Sequence, residues 1–286
     1  MTLDKSGSRV AVVTNGDHSV KIWSIESGSL QRRIEVPPNA AYSVAWLDDH
    51  LIMGGVDGYI RTVDLDSGEI ASEFPAHESR VMEILVHPDQ QRLFSIGLDS
   101  KIGAWELETG RELWVQMGNK EGRWWPQGVL AAVLLPERDL LATGAADGKI
   151  KLWSLEDGRQ CDSWQTEARV IDGLDVSADG RFLLSGGYEP SRLVLWDIDS
   201  GRRVWSQQSS FNYRFPKFSS DDSRIFSGGI EGALGVWDAV TGRRVVAFPS
   251  NRGNQIFQLD VSNEDLVVTG DDSGILQFWG FDRFDR

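Results

Sequence analysis

The sequence predicts an all-β protein, a seven-bladed β-propeller of four-stranded antiparallel blades. Three observations carry this expectation. One phrase is written repeatedly: AADGKIKLWSLEDG (145–158), GLDSKIGAWELETG (97–110), GIEGALGVWDAVTG (229–242) and GVDGYIRTVDLDSG (55–68). The residue that ends its alternating run recurs at Trp23, Val63, Trp105, Trp153, Trp196, Trp237 and Trp279, at spacings of 40, 42, 48, 43, 41 and 42 residues. Each copy also divides into four short strands joined by turns. A four-stranded unit repeated about every 40–45 residues marks a propeller, since a lone blade leaves both faces uncovered.

The copy ending at Gly158 shows how each element arises. VLAAVLLP (129–136) is an apolar strand, ERD a turn and LLATG (140–144) a second strand. In ADG (146–148) the glycine takes a positive φ without steric cost. KIKLWSL (149–155) alternates with period two, so Ile150 and Leu152 share one face and Lys149 and Lys151 the other. EDG turns again, and RQCDSW (159–164) is a fourth strand. The blades fall at about 1–36, 40–77, 80–117, 128–165, 169–208, 212–249 and 254–286 of a single propeller domain. Met1 to Leu3 read as the tail of a first strand, and 280–286 as too little for a fourth. Closure of the ring is therefore expected to be incomplete within this sequence, as in a piece of a longer protein.

The chain has 286 residues and a formal net charge of −14. Such a surface repels nucleic-acid phosphates and anionic lipid, and attracts a basic partner. The one cysteine, Cys161, rules out an intrachain disulfide or a multi-thiolate zinc site. No apolar run approaches the ~20 residues of a membrane span, and MTLDKSGSRV lacks a signal-like apolar stretch. Cytoplasmic residence is the expectation.

The repeat resembles the WD40 family. The matching features are Asp57-Gly58, Asp99-Ser100 and Asp147-Gly148 before the third strand, and a Trp six residues after Asp99 and Asp147. The residues after the anchor (Asp197, Asp238, Glu106, Ser154) and VSADGRFLLSGG (176–187) fit as well. The resemblance implies a binding scaffold whose partner the fold does not specify. It also implies that His77, Ser95, Asp99 and Trp105 form a hydrogen-bonded network that stiffens the third blade. The same residues resemble a catalytic triad, but no oxyanion hole accompanies them. His18, His50 and His87 show no metal-ligand spacing. No metal, cofactor or small-molecule substrate is expected. A rival resemblance comes from TGRELW (109–114) and SGRRVW (200–205), which are similar to the repeats of quinoprotein dehydrogenases. It implies a propeller enzyme as the alternative, although those enzymes generally have eight blades.

The resemblance places partner binding on the face formed by the loops into each first strand and the turns between second and third strands. The longest anchor spacing falls on MGNKEGRWWPQG (117–128), which carries Arg123, Trp124 and Trp125. Trp and Arg are enriched at binding hot spots. The alternative is that this Trp pair packs beneath neighbouring loops. Tyr188, Tyr213, Arg214 and Arg252 lie in the loops of later blades, and Arg80 precedes a first strand. Aligned by sequence, Tyr42, Met82, Arg214 and Phe257 take one position early in their first strands, with Phe257 read as core. These residues are expected to hold a protein or peptide, and the function expected is a non-enzymatic binding module.

Overall fold

The computed structural model describes residues 1–14, 18–119, 128–208, 214–229, 232–249, 254–262 and 266–280. The fold is all-β, with seven antiparallel sheets that are the blades of a propeller. The chain divides into two compact units, Met1–Thr166 and Glu167–Arg286.

The first unit holds four sheets. The first comprises β1 (Thr2–Leu3), β2 (Arg9–Thr14), β3 (Ser19–Ser24) and β4 (Leu30–Glu35). The second comprises β5 (Ser43–Leu47), β6 (His50–Gly54), β7 (Tyr59–Asp64) and β8 (Ile70–Pro75). The third comprises β9 (Val81–Val86), β10 (Arg92–Gly97), β11 (Lys101–Glu106) and β12 (Glu112–Met117). The fourth comprises β13 (Val129–Leu135), β14 (Leu140–Ala145), β15 (Lys149–Ser154) and β16 (Gln160–Gln165).

The second unit holds three sheets. The fifth comprises β17 (Val170–Val176), β18 (Phe182–Tyr188), β19 (Arg192–Asp197) and β20 (Arg202–Gln208). The sixth comprises β21 (Arg214–Phe218), β22 (Arg224–Gly228), β23 (Leu234–Asp238) and β24 (Arg244–Phe248). The seventh has three strands among the described residues, β25 (Ile256–Val261), β26 (Val267–Asp271) and β27 (Leu276–Trp279). Of residues 280–286, read above as too little for a fourth strand, 281–286 lie outside the described residues. At the other end β1 is brief, pairing Thr2 with Ala11 and Leu3 with Val10.

The seven anchors are equivalent by register. Each sits opposite an aliphatic residue of the second strand: Val10, Leu51, Leu93, Leu141, Leu183, Ile225 and Val267. All seven partners are fully buried. In the six sheets with a described fourth strand, the pairing of third to fourth strand slips by one residue at the anchor. Val63 does this just as the tryptophans do. The anchor is thus set by register and turn geometry, and Trp is its usual occupant.

The pleat explains why second strands read as continuous apolar runs. Neighbouring residues point to opposite faces, and both faces are covered. Leu51 packs with the first sheet through Ala11 and Ile22, while Ile52 packs with Val81 and Leu93 of the third. Phe94 turns the other way, onto Val129 and Leu141 of the fourth sheet. In the second unit Ile225 packs with Leu184 and Leu195, and Phe226 with Ile256 and Val267. Each fully buried large side chain of this kind contributes roughly 1.5–3 kcal/mol. The fourth strands face outward as edges, and Arg32, Arg33, Arg202, Arg203 and Arg244 on them discourage pairing with another chain.

A second slip recurs where first strands begin. The pairing of first to second strand shifts around Met82, Leu130, Asp172 and Phe257, and across Phe215–Pro216. Each shift is a β-bulge, with one extra residue on the first strand. One expectation is corrected by it. Phe257 is not core; it is 47% exposed, because it is the bulged residue and Ile256 takes the buried place. Counted along the first strand from the anchor's neighbour, Arg214 does fall with Met82 and Phe257. In the sixth sheet, however, the slip comes later, across Phe215–Pro216, so Arg214 is itself paired, with Gly228, the place that Glu83, Ala131, Gly173 and Gln258 hold in their sheets.

Candidate functional site

The triad-like residues come together in the third blade. His77 Nδ1 lies 3.0 Å from Asp99 Oδ1, and His77 Nε2 lies 2.8 Å from Ser95 Oγ. Trp105 Nε1 donates to the same Ser95 Oγ at 2.8 Å. Asp99 only accepts, so Nδ1 carries a proton and, in a neutral ring, the Ser95 hydroxyl donates to Nε2. Asp99 also accepts the backbone N–H groups of Glu78 and Lys101. Burial works against the Asp99 carboxylate, but the His77 hydrogen bond and charge and these two N–H groups hold it below the usual range. His77 and Ser95 are both buried, 8% and 1% exposed, and the serine oxygen is occupied from two sides. The arrangement ties second strand, third strand and incoming loop together.

Blades two and four solve the same problem differently. Asp57 and Asp147, the turn acids equivalent to Asp99, pair with Arg61 at 2.7 Å and Lys151 at 2.9 Å. Both cations lie four residues after the acid, where blade three has Gly103. A Cβ at Gly103 would meet the Trp105 ring at 2.5 Å. A cation four residues after each turn aspartate was the sequence signal for these pairs. Other anchor tryptophans keep a simpler bond: Trp153 donates to Thr143, Trp196 to Ser185 and Trp279 to Thr269, at 2.8–3.0 Å.

The phrases that resembled quinoprotein repeats place their tryptophans as staples between sheets. Trp114 Nε1 donates to the carbonyl of Leu155 at 3.1 Å, and Trp205 Nε1 to that of Ala239 at 2.9 Å. Each ring lies over a turn glycine of the next blade. A Cβ at Gly158 would sit 2.5 Å from Trp114, and one at Gly242 2.6 Å from Trp205.

Of the residues expected to bind a partner, Arg123, Trp124, Trp125, Tyr213 and Arg252 lie outside the described residues. Arg80, in the first unit, stacks its guanidinium 4.4 Å from the centroid of Tyr42. Its Nε is shielded from solvent and has no hydrogen-bond partner among the described residues. Arg80 lines a cavity of about 240 Å³ with Thr14, His18, Ser19, Asn39 and Val56.

Tyr188 and Arg214 meet in the second unit. The Arg214 guanidinium lies 4.6 Å from the Tyr188 centroid and 5.0 Å from that of Phe215. It is paired to the buried carboxylate of Asp172 through Nε and Nη2. Asp172 escaped the sequence reading. Its signal was an acid in the apolar run VIDGLDV, at the bulged position that Met82, Leu130 and Phe257 hold elsewhere. Burial pushes Asp172 up to about 6, against the opposing charge and hydrogen bond of Arg214. Burial also raises Asp175, opposed by Lys217.

A raised carboxyl stabilises the fold fully below its unfolded value near 4, and that contribution is lost as pH rises through about 6. The expected change is up to about 3 kcal/mol. Carbon-detected NMR should show a carboxyl titrating near pH 6, and Asp172→Asn should flatten the stability profile between pH 4 and 7. A profile that Asp172→Asn leaves unchanged refutes this. Among the described residues, no three His, Cys, Asp or Glu side chains gather closely enough to hold a metal ion.

A family model described as outer membrane protein assembly factor BamB matches residues 56–214 and 189–285, most of the chain. The chain belongs to this family of propeller-repeat proteins. Characterised relatives are WD-repeat proteins. WD repeat-containing protein 82 of Drosophila melanogaster is 27% identical over 199 residues, covering 66% of this chain and 60% of that protein. The p21-activated protein kinase-interacting protein 1-like of Xenopus laevis is 28% identical over 89 residues, 30% of this chain and 24% of that one. A WD repeat-containing protein 3 homolog of Dictyostelium discoideum is 28% identical over 107 residues, 37% of this chain and 11% of that one. The chain therefore spans a quarter or less of the length of these last two relatives. The sequence resemblance and the fold agree on a WD40-type propeller.

Proposed function

We propose that this WD-repeat propeller is a non-enzymatic module that binds a protein or peptide through loops on the face where its first strands begin. One observation carries the reading: the polar residues that look catalytic are consumed inside a blade, with Ser95 Oγ engaged by both Trp105 and His77. A serine so placed holds the scaffold and does not reach a substrate. Arg80 and the loop bearing Arg123, Trp124 and Trp125 supply the side-chain types that anchor partners. The net charge of −14 supports a partner that is basic on the whole. Cytoplasmic residence is proposed with it, and cell fractionation tests that part.

Capture from native lysate tests the reading, with the Trp124→Ala, Trp125→Ala double variant as comparison. Truncating a true anchor costs ~2 kcal/mol or more, about thirtyfold in affinity. Lost capture at an unchanged melting temperature supports the module; intact capture, or a large fall in melting temperature, refutes the Trp pair as its anchor. Association with a basic partner should also slow as salt rises past ~0.1 M, where the screening length is ~10 Å.

A further inference from the structure

We propose that Arg80 and the cavity it lines form a subsite for an oxyanion, the side-chain carboxylate of an aspartate or glutamate in the bound peptide. This deepens the partner-binding reading above and rests on it. The first ground is an unspent cation. Arginine is permanently charged and offers five donors, and buried donors in folded proteins are nearly always satisfied. Arg80 Nε is shielded from solvent and unbonded, and no carboxylate among the described residues pairs with the guanidinium.

The neighbouring acids are committed elsewhere. Asp57 and Glu73 both pair with Arg61, at 2.7 and 2.9 Å. Glu78 pairs with Lys101 at 2.6 Å, and Asp99 with His77 at 3.0 Å. Among the described residues, Arg80 is thus passed over by these four acids, while Arg61, His77 and Lys101 are taken.

The second ground is preorganisation. Tyr42 holds the guanidinium at 4.4 Å, and the backbone carbonyl of Arg80 accepts from Leu98 N at 2.9 Å. With its backbone fixed and one face of the guanidinium against Tyr42, the planar fork loses less freedom than a free side chain on engaging a planar carboxylate with two parallel hydrogen bonds. The third ground is space. The cavity of about 240 Å³ beside it, with Thr14, Ser19, Asn39 and His18 in its wall, has room for a carboxylate and its peptide. Charge narrows the occupant. A surface of −14 repels a polyanion, so the fit is one acidic side chain within a neutral or basic peptide.

The test reads the Arg80 Nε–Hε group by proton–nitrogen NMR on the whole chain, assigned by its disappearance in Arg80→Lys. The probes are N-acetyl-glutamate N-methylamide, its glutamine counterpart and inorganic phosphate. The expected result is a saturable downfield shift with the glutamate probe and at least tenfold weaker binding of the glutamine probe. Followed instead by the backbone amides of Ser19 and Val56 in the cavity wall, binding of the glutamate probe should fall tenfold or more in Arg80→Met and also weaken in Tyr42→Leu, with the remaining spectrum unchanged. No saturable shift, or an equal shift with glutamine, overturns the proposal. A shift with phosphate alone also overturns it and assigns the site to phosphate. If Arg80→Met misfolds, Tyr42→Leu and the glutamine probe still decide. Partner capture separates the two readings: a partner held equally by wild type and Arg80→Met ends the subsite and leaves the module standing. Glutamate binding with capture unaffected by the Trp pair does the reverse.

Discussion

Replacing Ser95 with Ala should destabilise the first unit by about 2–5 kcal/mol, because two buried groups lose their partner at once. Trp105 Nε1 and His77 Nε2 both bond to Ser95 Oγ at 2.8 Å, and the hydroxyl is 1% exposed. A buried donor or acceptor left unsatisfied costs about 1–3 kcal/mol. Thr143→Val is the control, since Thr143 Oγ1 serves only Trp153 among these anchor contacts and the fourth blade has no histidine bond to lose. Urea midpoints should show Ser95→Ala costing about twice as much. Equal losses would mean that His77 contributes nothing to the blade. The acid side gives an independent reading. Asp99 is held below the ordinary carboxylate range, so its contribution is present above about pH 4 and lost as pH falls through its folded value. The advantage of wild type over Asp99→Asn should shrink over that range, and a constant gap would count against the network.

Trp114→Ala should cost about 3–5 kcal/mol, the range for removing a buried aromatic. The ring is 7% exposed, packs 5.9 Å from Phe94 centroid to centroid, and donates across sheets to Leu155. The sharper measurement is a cycle with Gly158→Ala. Gly158 has φ +70°, so any Cβ costs about 1 kcal/mol in backbone strain. It would also press on Trp114 at 2.5 Å, which adds about 1–3 kcal/mol of overpacking. In the Trp114→Ala background the strain and a 3.0 Å approach to the flexible Gln116 side chain remain, so the two changes should still couple by about 1 kcal/mol or more. Gly180, at φ +66° with nothing within 4 Å, calibrates the strain alone. Strict additivity would show that the ring does not rest on the glycine.

The blades were legible because their signals are local. Alternation, a turn glycine and a fixed spacing placed Val63 at an anchor even without the tryptophan, and its pairing with Leu51 agrees. In the sixth sheet the bulge falls later than in the others and leaves Arg214 paired where its counterparts bulge out, a shift that carries no sequence mark, and an apolar run hid Asp172. Phe257 looked like core on composition, yet the same device turned it outward. The Asp57–Arg61 and Asp147–Lys151 pairs were missed for another reason: a lysine alternating with isoleucine in a strand reads as a solvent face. Lys151 is instead drawn to Asp147 and to the carbonyl of Gly118, just past β12 of the third sheet.

The recurrent bulge at the start of first strands also bears on how such chains diversify. Beyond the bulge, pairing is fixed by residues buried on two faces, and a slip of one residue would turn each of them the wrong way. Ahead of it, the chain has only to arrive. The bulge works as a coupling that isolates the register of a blade from the length of the segment leading into it. That is why residues 117–128 can be longer than their counterparts while β13 still pairs Ala131 with Gly144 and Leu135 with Leu140. Selection, or an engineer, can exchange the incoming segments one blade at a time without rewriting the sheets that carry them.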